Sequence, residues 1–420
     1  MTRTRSALLA CSTLAAAATA AALITPPAVA ASPSPAGNTV RFATFNASLN
    51  RNFTGQLIGD LSTSGNAQAA TVAEIVQRMR PDVLLINEFD YDQAGTALRL
   101  FQDNYLSVPH NGAAAIEYPY RFTAESNTGI PSGFDLNNNG VISGPDDAYG
   151  FGFFPGQFGM AVYSKYPIDV SSIRTFQKFL WKDMPEAMLP DDPATPAAED
   201  WYSPAELDVF RLSSKSHWDL PMQIGGKTVH FLVSHPTPPV FDGPEDRNGT
   251  RNFDEIRFWA DYVRPGAGRY IYDDAGRFGG LPAGAHFVIA GDQNSDPLDG
   301  DSIPGSIQQL LDNPRINTSS TPDSAGAVEA TAIQRGANLT HRSDPRFDTA
   351  DFADSSPGNL RADYVLPSKA LRVRDSAVFW PVTTDPLFRL TGVFPFPSSD
   401  HRAVWVDVRV PSHHDQAGAE

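Results

Sequence analysis

Short apolar runs, each closed by a polar residue, recur along this chain from residue 40 to residue 410. Val40–Phe45, mostly apolar or β-favouring, predicts a strand. Asn66–Arg80 sets Val72, Ile75, Val76 and Met79 on one face at helical spacing, and Pro81 stops the helix. Val83-Leu84-Leu85-Ile86 then reads as a buried strand, and Gln93–Asn104 as a second helix. This order predicts alternating α/β layering. Further strands are expected at Met160–Ser164, Val229–Ser234, His286–Ala290, Ala362–Leu366 and Ala403–Val410, and helices at Phe253–Val263 and Ile303–Leu311. Residues 109–158, rich in Gly, Asn, Pro and aromatics, break the rhythm and read as a long insertion, with further loops at 182–206 and 238–251. No shift of composition marks a second domain. Residues 40–411 are read as one domain, between a linker at 31–39 and a tail at 412–420.

Composition changes this picture in two places. Hydrophobic residues make up 41% of the 420, enough for a packed core, which excludes a largely disordered chain. The 48 acidic residues exceed the 32 basic ones, for a net charge of -16. A surface this acidic repels a phosphate backbone, so no stable duplex nucleic-acid partner is expected. The first thirty residues join Arg3 and Arg5 to an apolar run, Ala7 to Ile24, and to the small-x-small pattern Ala28-Val29-Ala30. That is the form of a secretory signal peptide over 1–30, so a secreted, extracellular protein is expected. Without it, 30 basic residues face 48 acidic ones, a charge of -18. Cys11, the one cysteine, leaves with the signal, which excludes disulfides, thiolate catalysis and cysteine-ligated zinc. No later run is long and apolar enough to span a bilayer.

The candidate chemistry lies where the apolar runs end. Asn46 follows the first strand, and Glu88 closely follows Leu85-Ile86. His235 follows Phe231–Ser234, and Asp292 and Asn294 follow Phe287–Ala290. Asp363 opens the strand at Tyr364, and Asp400-His401 precede Ala403-Val404-Trp405. Each alone is an ordinary turn or loop residue. Six such sites together, at the strand edges where α/β proteins bind ligands, are far more specific. The motifs Thr44-Phe45-Asn46, Ile86-Asn87-Glu88, Ser234-His235-Pro236, Gly291-Asp292-Gln293-Asn294, Ala362-Asp363-Tyr364 and Ser399-Asp400-His401 resemble, in order, those of the endonuclease/exonuclease/phosphatase superfamily. This superfamily includes DNase I-like nucleases, neutral sphingomyelinases and inositol-polyphosphate phosphatases. Two positions depart from the pattern: Asn87 stands for a usual Gln, and Gln293 for an aromatic residue.

The resemblance implies a four-layered α/β sandwich, two packed mixed β-sheets flanked by helices, with the site at one sheet edge. It implies phosphoester hydrolysis, phosphodiesters foremost, by in-line attack of an activated water. Glu88 would be the principal metal carboxylate, assisted by Asn46 and Asp400. Asp292 and Asn294 would orient or deprotonate the water and hold the phosphate. His401 would contact the phosphoryl group with Asp363 setting its tautomer, and His235 would donate to a phosphate oxygen or leaving group. Oxygen donors of this kind suit Mg²⁺, with Mn²⁺ or Ca²⁺ as alternatives. Either His401 or Asp292 would be the base. Arg121, Arg174, Lys178, Lys182 and Arg251 stand in loops near these motifs as candidate phosphate-binding cations.

The insertion carries a second ion motif. Asp135, Asn137, Asn139, Val141, Ser143 and Asp146 take the ligand positions of a calcium loop over 135–146, with Gly140 at its sharp turn. The spacing is similar to dockerin-type loops, and a structural Ca²⁺ is expected there. A zinc hydrolase is disfavoured, because the nine histidines form no helical His-x-x-x-His or Glu-x-x-His pair. No Gly-x-Ser-x-Gly elbow supports a serine esterase. The substrate stays open among nucleic acid, phospholipid, glycerophosphodiester and phosphomonoester, since one core supports them all. A monomer is expected, and a catalytically silent binding module is the least favoured reading.

Overall fold

Strand-forming residues whose side chains alternate between two apolar environments build this molecule. A computed structural model describes residues 39–411, so the expected signal segment, nearly all of the linker and the tail fall outside the described residues. One sheet contains β1 (Thr39–Leu49), β2 (Val83–Phe89), β3 (Tyr120–Phe122) and β4 (Met160–Ser164). The other contains β5 (Arg174–Thr175), β6 (His217–Ile224), β7 (Lys227–Ser234) and β8 (His286–Asp292). A small ribbon pairs β9 (Ala350–Asp351) with β10 (Asn359–Leu360), after which β11 (Asp363–Pro367) joins the second sheet, and β12 (Arg372–Val378) and β13 (Val404–Arg409) the first. The first sheet runs β12-β13-β1-β2-β4-β3 and the second β11-β8-β7-β6-β5. Both are mixed: β1–β2 and β7–β8 are parallel, and the other pairs antiparallel.

Period-two alternation explains the layers. Phe42, Val83 and Leu85 meet Phe231, Val233 and Val288 between the sheets. Ala43, Phe45, Leu84 and Ile86 face outward, under the helices Gln56–Leu61, Ala67–Met79 and Thr96–Phe101. Leu232, Phe287 and Ile289 face out of the second sheet, onto Ile256, Phe258 and Trp259 of the helix Arg247–Val263. The result is a four-layered α/β sandwich, as expected. Each fully buried Leu, Ile or Phe contributes about 1.5–3 kcal/mol, so every layer boundary is held by apolar burial.

Several boundaries differ from the sequence reading, for physical reasons. β1 runs four residues past Phe45 and β2 reaches Phe89, so Asn46 and Glu88 lie within strands rather than after them. The helix expected at Asn66–Arg80 is Ala67–Met79, with the Asn66 side chain capping Ala69 N–H. The second helix is α-helical only at Thr96–Phe101 and continues as a π turn, Gln102–Leu106. The helix expected from Phe253 begins at Arg247, which shortens the loop before it. Only Gln308–Leu311 of Ile303–Leu311 is α-helical. Among the described strands β3, β5, β6, β9, β10 and β12 escaped the pattern, and the two long ones show why. β6 contains Pro221, tolerated because its short neighbour β5 stops before reaching it. β12 is a charged edge strand. The insertion is not all loop, since it donates β3 to the edge of the first sheet. Among the described residues no helix is long and apolar enough to cross a membrane.

Candidate active site

Strand polarity delivers the candidate residues to one place. β1 and β2 run parallel and β7 and β8 run parallel, so Asn46, Glu88, His235 and Asp292 all stand at or near C-terminal strand ends. β11 is antiparallel to β8 with Asp363 in register with Asp292. β13 is antiparallel to β1, so the segment entering it, Asp400-His401, reaches the same edge. Asn46, Glu88, Asp400 and His401 thus come from the first sheet, and His235, Asp292, Asn294 and Asp363 from the second.

Asp292, only 1% exposed, is the junction. Its Oδ2 accepts a hydrogen bond from Asn46 Nδ2 at 3.0 Å and lies 3.4 Å from His235 Nε2 and 3.6 Å from His401 Nε2. Its Oδ1 accepts from Asn294 N–H at 2.9 Å, and its own N–H donates to Asn87 Oδ1 at 3.2 Å. Asn46 Nδ2 also donates to Glu88 Oε1 at 3.1 Å, and Asn50 Nδ2 to Glu88 Oε2 at 2.7 Å. His401 Nδ1 is 2.8 Å from Asp363 Oδ2, which also accepts from Thr349 Oγ1 at 2.8 Å. Phe352 meets the His401 ring edge to face at 5.3 Å. Asp400 is half-buried, and its Oδ1 lies 3.4 Å from Ser399 Oγ.

The electrostatics separate the two histidines. Burial alone would lower His401, but Asp363 and Asp292 outweigh it and hold the imidazole well above its ordinary range. His235 is pushed well below that range by burial, then by Lys215 and His401. At neutral pH His401 is therefore cationic and His235 neutral. Burial pushes Asp292 up to about 6 and also raises Glu88. Among the described residues neither carboxylate has a Lys or Arg within ion-pair distance. Backbone strain gathers here too. Glu88, Asn294 and Ser48 hold left-handed φ values of 59°, 51° and 48°. Gly291, at φ 150°, lies so close to the Ser234 carbonyl that a Cβ would collide with it.

Oxygen-rich donors with unbalanced charge suit a hard divalent cation. Ligand atoms of Asp292, Asp363 and His401 lie within 4.8 Å of one another, and this group could hold a metal ion. Asp363 and His401 already bond each other, whereas Glu88 and Asp400 face a shared cavity of about 660 Å³ with Asp292 and His401. Buried atoms without partners also mark the site: His235 Nδ1, Asn87 Nδ2 and Asp363 Oδ1.

The other expected positions fall elsewhere. In the loop 135–146 Asp135 accepts from Asn139 N–H and Gly140 N–H at 3.0 and 2.7 Å, and Asn139 Oδ1 from Val141 N–H at 2.8 Å. Asn137 Oδ1 accepts from Asn139 N–H at 3.2 Å, while Ser143 N–H donates to Asp147 at 2.7 Å. Asp147, not Asp146, is the buried carboxylate of this loop, and Asp146 is exposed. Arg174 pairs with Asp273 and Lys182 with Asp208, while Arg251 donates to the carbonyls of Leu212, Tyr149 and Arg211. Sequence reasoning passed over Asn50, Thr349 and Lys215. No pattern marks the first two, and Lys215 sits in the unremarkable run Ser213-Ser214-Lys215-Ser216.

A model of the endonuclease/exonuclease/phosphatase family matches residues 43–401. Similar solved structures include an endonuclease/exonuclease/phosphatase from Beutenbergia cavernae, 16% identical, covering 89% of this chain and 72% of that one, with a TM-score of 0.47. A sphingomyelinase C from Streptomyces griseocarneus is 14% identical, over 88% of this chain and 99% of that one, at a TM-score of 0.42. A mannosyl-6-phosphatase from Bacteroides thetaiotaomicron is 13% identical, over 88% and 99%, also at 0.42. No curated protein matches the chain.

Proposed function

The chain belongs to the endonuclease/exonuclease/phosphatase family, whose members hydrolyse phosphoric esters, and from that premise we propose that it is a divalent-metal-dependent phosphodiesterase acting by in-line attack of water. One observation carries the reading: the Asp292 carboxylate meets Asn46 and both histidines at the mouth that Glu88 shares.

Glu88, Asn46 and Asp400 would hold the cation, which when bound supplies positive charge against the phosphoryl oxygens. Asp292, ionised at neutral pH and fixed by Asn46 and Asn294, would take the proton of the attacking water. His401, held cationic by Asp363, would donate to a phosphoryl oxygen rather than act as base. His235, neutral, would donate from Nε2 to the leaving oxygen, and Asn294 would hold the phosphate. Placing the reactants in line is itself a large part of such catalysis.

The test is turnover of bis-p-nitrophenyl phosphate with Mg²⁺, Mn²⁺ or Ca²⁺ and with EDTA. Metal-dependent turnover that is lost in Glu88→Ala and Asp292→Ala is expected, and unchanged turnover in both variants would refute the site. A panel of plasmid DNA, RNA, glycerophosphodiesters, sphingomyelin and a phosphomonoester then sorts the substrate. We propose further that residues 1–30 direct secretion, that 40–411 act as one domain and as a monomer, and that the loop 135–146 takes a structural Ca²⁺ that stiffens the insertion.

A further inference from the structure

The catalytic edge opens onto a second cavity, of about 580 Å³, which shares Glu88, His235, Pro238, Val240 and Phe241 with the first. It extends away from the strand ends, between the insertion and the loop at 238–246 with the start of the helix after it. Leu136, Phe151, Phe158, Tyr202, Phe210 and Val240 line it, so most of its wall is apolar.

Three cations also line this cavity, and two are committed elsewhere. Arg251 spends its guanidinium on three backbone carbonyls, and Arg247 is paired with Glu245. The third, Lys215, is only 6% exposed and forms no side-chain hydrogen bond or ion pair among the described residues. Burial lowers its pKa from the ordinary lysine value, and Glu255, then Glu88 and Asp292, oppose this by favouring the charged form. The Glu255 oxygens are already taken by Ser214 N–H at 2.7 Å and Thr237 N–H at 2.6 Å. Removing an ammonium from water costs several kcal/mol unless it is paired. An ammonium whose N–H donors have no protein partner among the described residues, on a cavity wall beside the reacting carboxylates, fits an anionic oxygen.

We propose that Lys215 binds an oxygen of the substrate phosphate, and that the cavity beyond it takes an apolar alcohol portion of the ester, aryl or alkyl. This rests on the phosphodiesterase reading above and narrows its substrate class. A polyanionic strand needs several free cations along its path, and this wall offers one, with the carboxylates of Asp146 and Glu88 in the same lining. A cavity of this volume admits a ring or short chain and rewards it through apolar burial.

The experiment compares methyl phosphate and phenyl phosphate as competitors of bis-p-nitrophenyl phosphate turnover, and by calorimetry with Mn²⁺ present. Phenyl phosphate should bind about tenfold to a hundredfold tighter than methyl phosphate, from burial of the ring. Lys215→Met should weaken both by about tenfold to a hundredfold, from loss of a charged hydrogen bond, with Lys215→Arg restoring part. Ala148→Phe, at a wall residue of the second cavity alone, should pull the phenyl-to-methyl ratio toward one, and it reports even where Lys215→Met fails to fold. Equal affinities in wild type, or a Lys215→Met protein that is folded and binds methyl phosphate as wild type does, would overturn the inference. Either result alongside normal metal-dependent turnover leaves the phosphodiesterase reading intact. Absence of any turnover in wild type with all three metals overturns that reading instead.

Discussion

Near its start β1 carries Arg41, and five residues later it carries Asn46, so one strand joins two buried polar regions that can be compared directly. At the Arg41 end every group is answered. Nε and Nη2 grip the two oxygens of Asp407 at 2.7 and 2.8 Å, Nη1 donates to Met79 O at 2.6 Å, and the guanidinium stacks 3.7 Å over Trp405. Asp82 accepts from Arg41 N–H at 2.9 Å and pairs with Lys165 at 2.9 Å. At the Asn46 end, among the described residues, Glu88 and Asp292 form no ion pair with Lys or Arg, and His235 Nδ1, Asn87 Nδ2 and Asp363 Oδ1 are left without hydrogen bonds. The first region is completed by the chain itself. The second is assembled at a cost in stability that a bound ligand would offset.

The sharpest way to break this contrast is Asp292→Asn. Its turnover should fall about 10²–10⁴-fold, the usual range for a lost acid–base group, while its melting temperature stays level or rises. A large fall in melting temperature would mean that the Asn46 end is as self-sufficient as the other. Arg41→Met should do the reverse. Stranding Asp407 should cost about 3–5 kcal/mol by chemical denaturation, with turnover per folded molecule near wild type. Adding Asp407→Leu should recover much of that loss, because the charge left without a partner is then gone.

A third prediction concerns pH. His217 is buried with its nitrogens on Ser213 Oγ at 2.6 Å and Glu255 O at 2.9 Å, and its ring against Phe258 and Trp259. Burial, opposed by the Glu255 carbonyl bond, lowers it from 6.5 to about 3. The unfolded chain therefore binds a proton that the native state refuses between those values. The contribution of His217 is complete above pH 6.5 and drains away as pH falls toward 3, by about 1.4 kcal/mol per pH unit at most. His217→Gln should show a shallower loss of stability over that window, and parallel curves would remove His217 as the cause. The smallest effect belongs to the insertion. Saturating Ca²⁺ should stabilise wild type by about 1–3 kcal/mol, as mass action gives for a ligand well above its Kd, and Asp135→Ala by less. Equal shifts in the melting temperatures of the two proteins would dismiss the loop as an ion site.

The same comparison explains what could be read from sequence. Runs such as Phe287–Ala290 must be buried, and a carboxylate directly after one is conspicuous, so Asp292, His235 and the other strand-end residues were legible. Lys215 was not, because its role comes from what fails to surround it, a property of the folded cavity rather than of a local pattern. Thr349 supports Asp363 only because the β9 ribbon is brought alongside, a long-range pairing that no local spacing encodes. β6 and β12 were hidden by proline and by charge, both acceptable there because full pairing is missing on one side.

The eight candidate residues come half from each sheet, and among the described residues no strand pairing joins the two sheets directly, the nearest backbone link being the bridge from His401 to Ala350 of the β9 ribbon. Asn46 to Asp292, Asp292 to Asn87 and His401 to Asp363 are the polar stitches across that seam. Turnover is therefore a gauge of sliding between the sheets. A slip of one ångström would part these groups while leaving each sheet's own ladder whole, and hydrolysis would fade before circular dichroism registered any change.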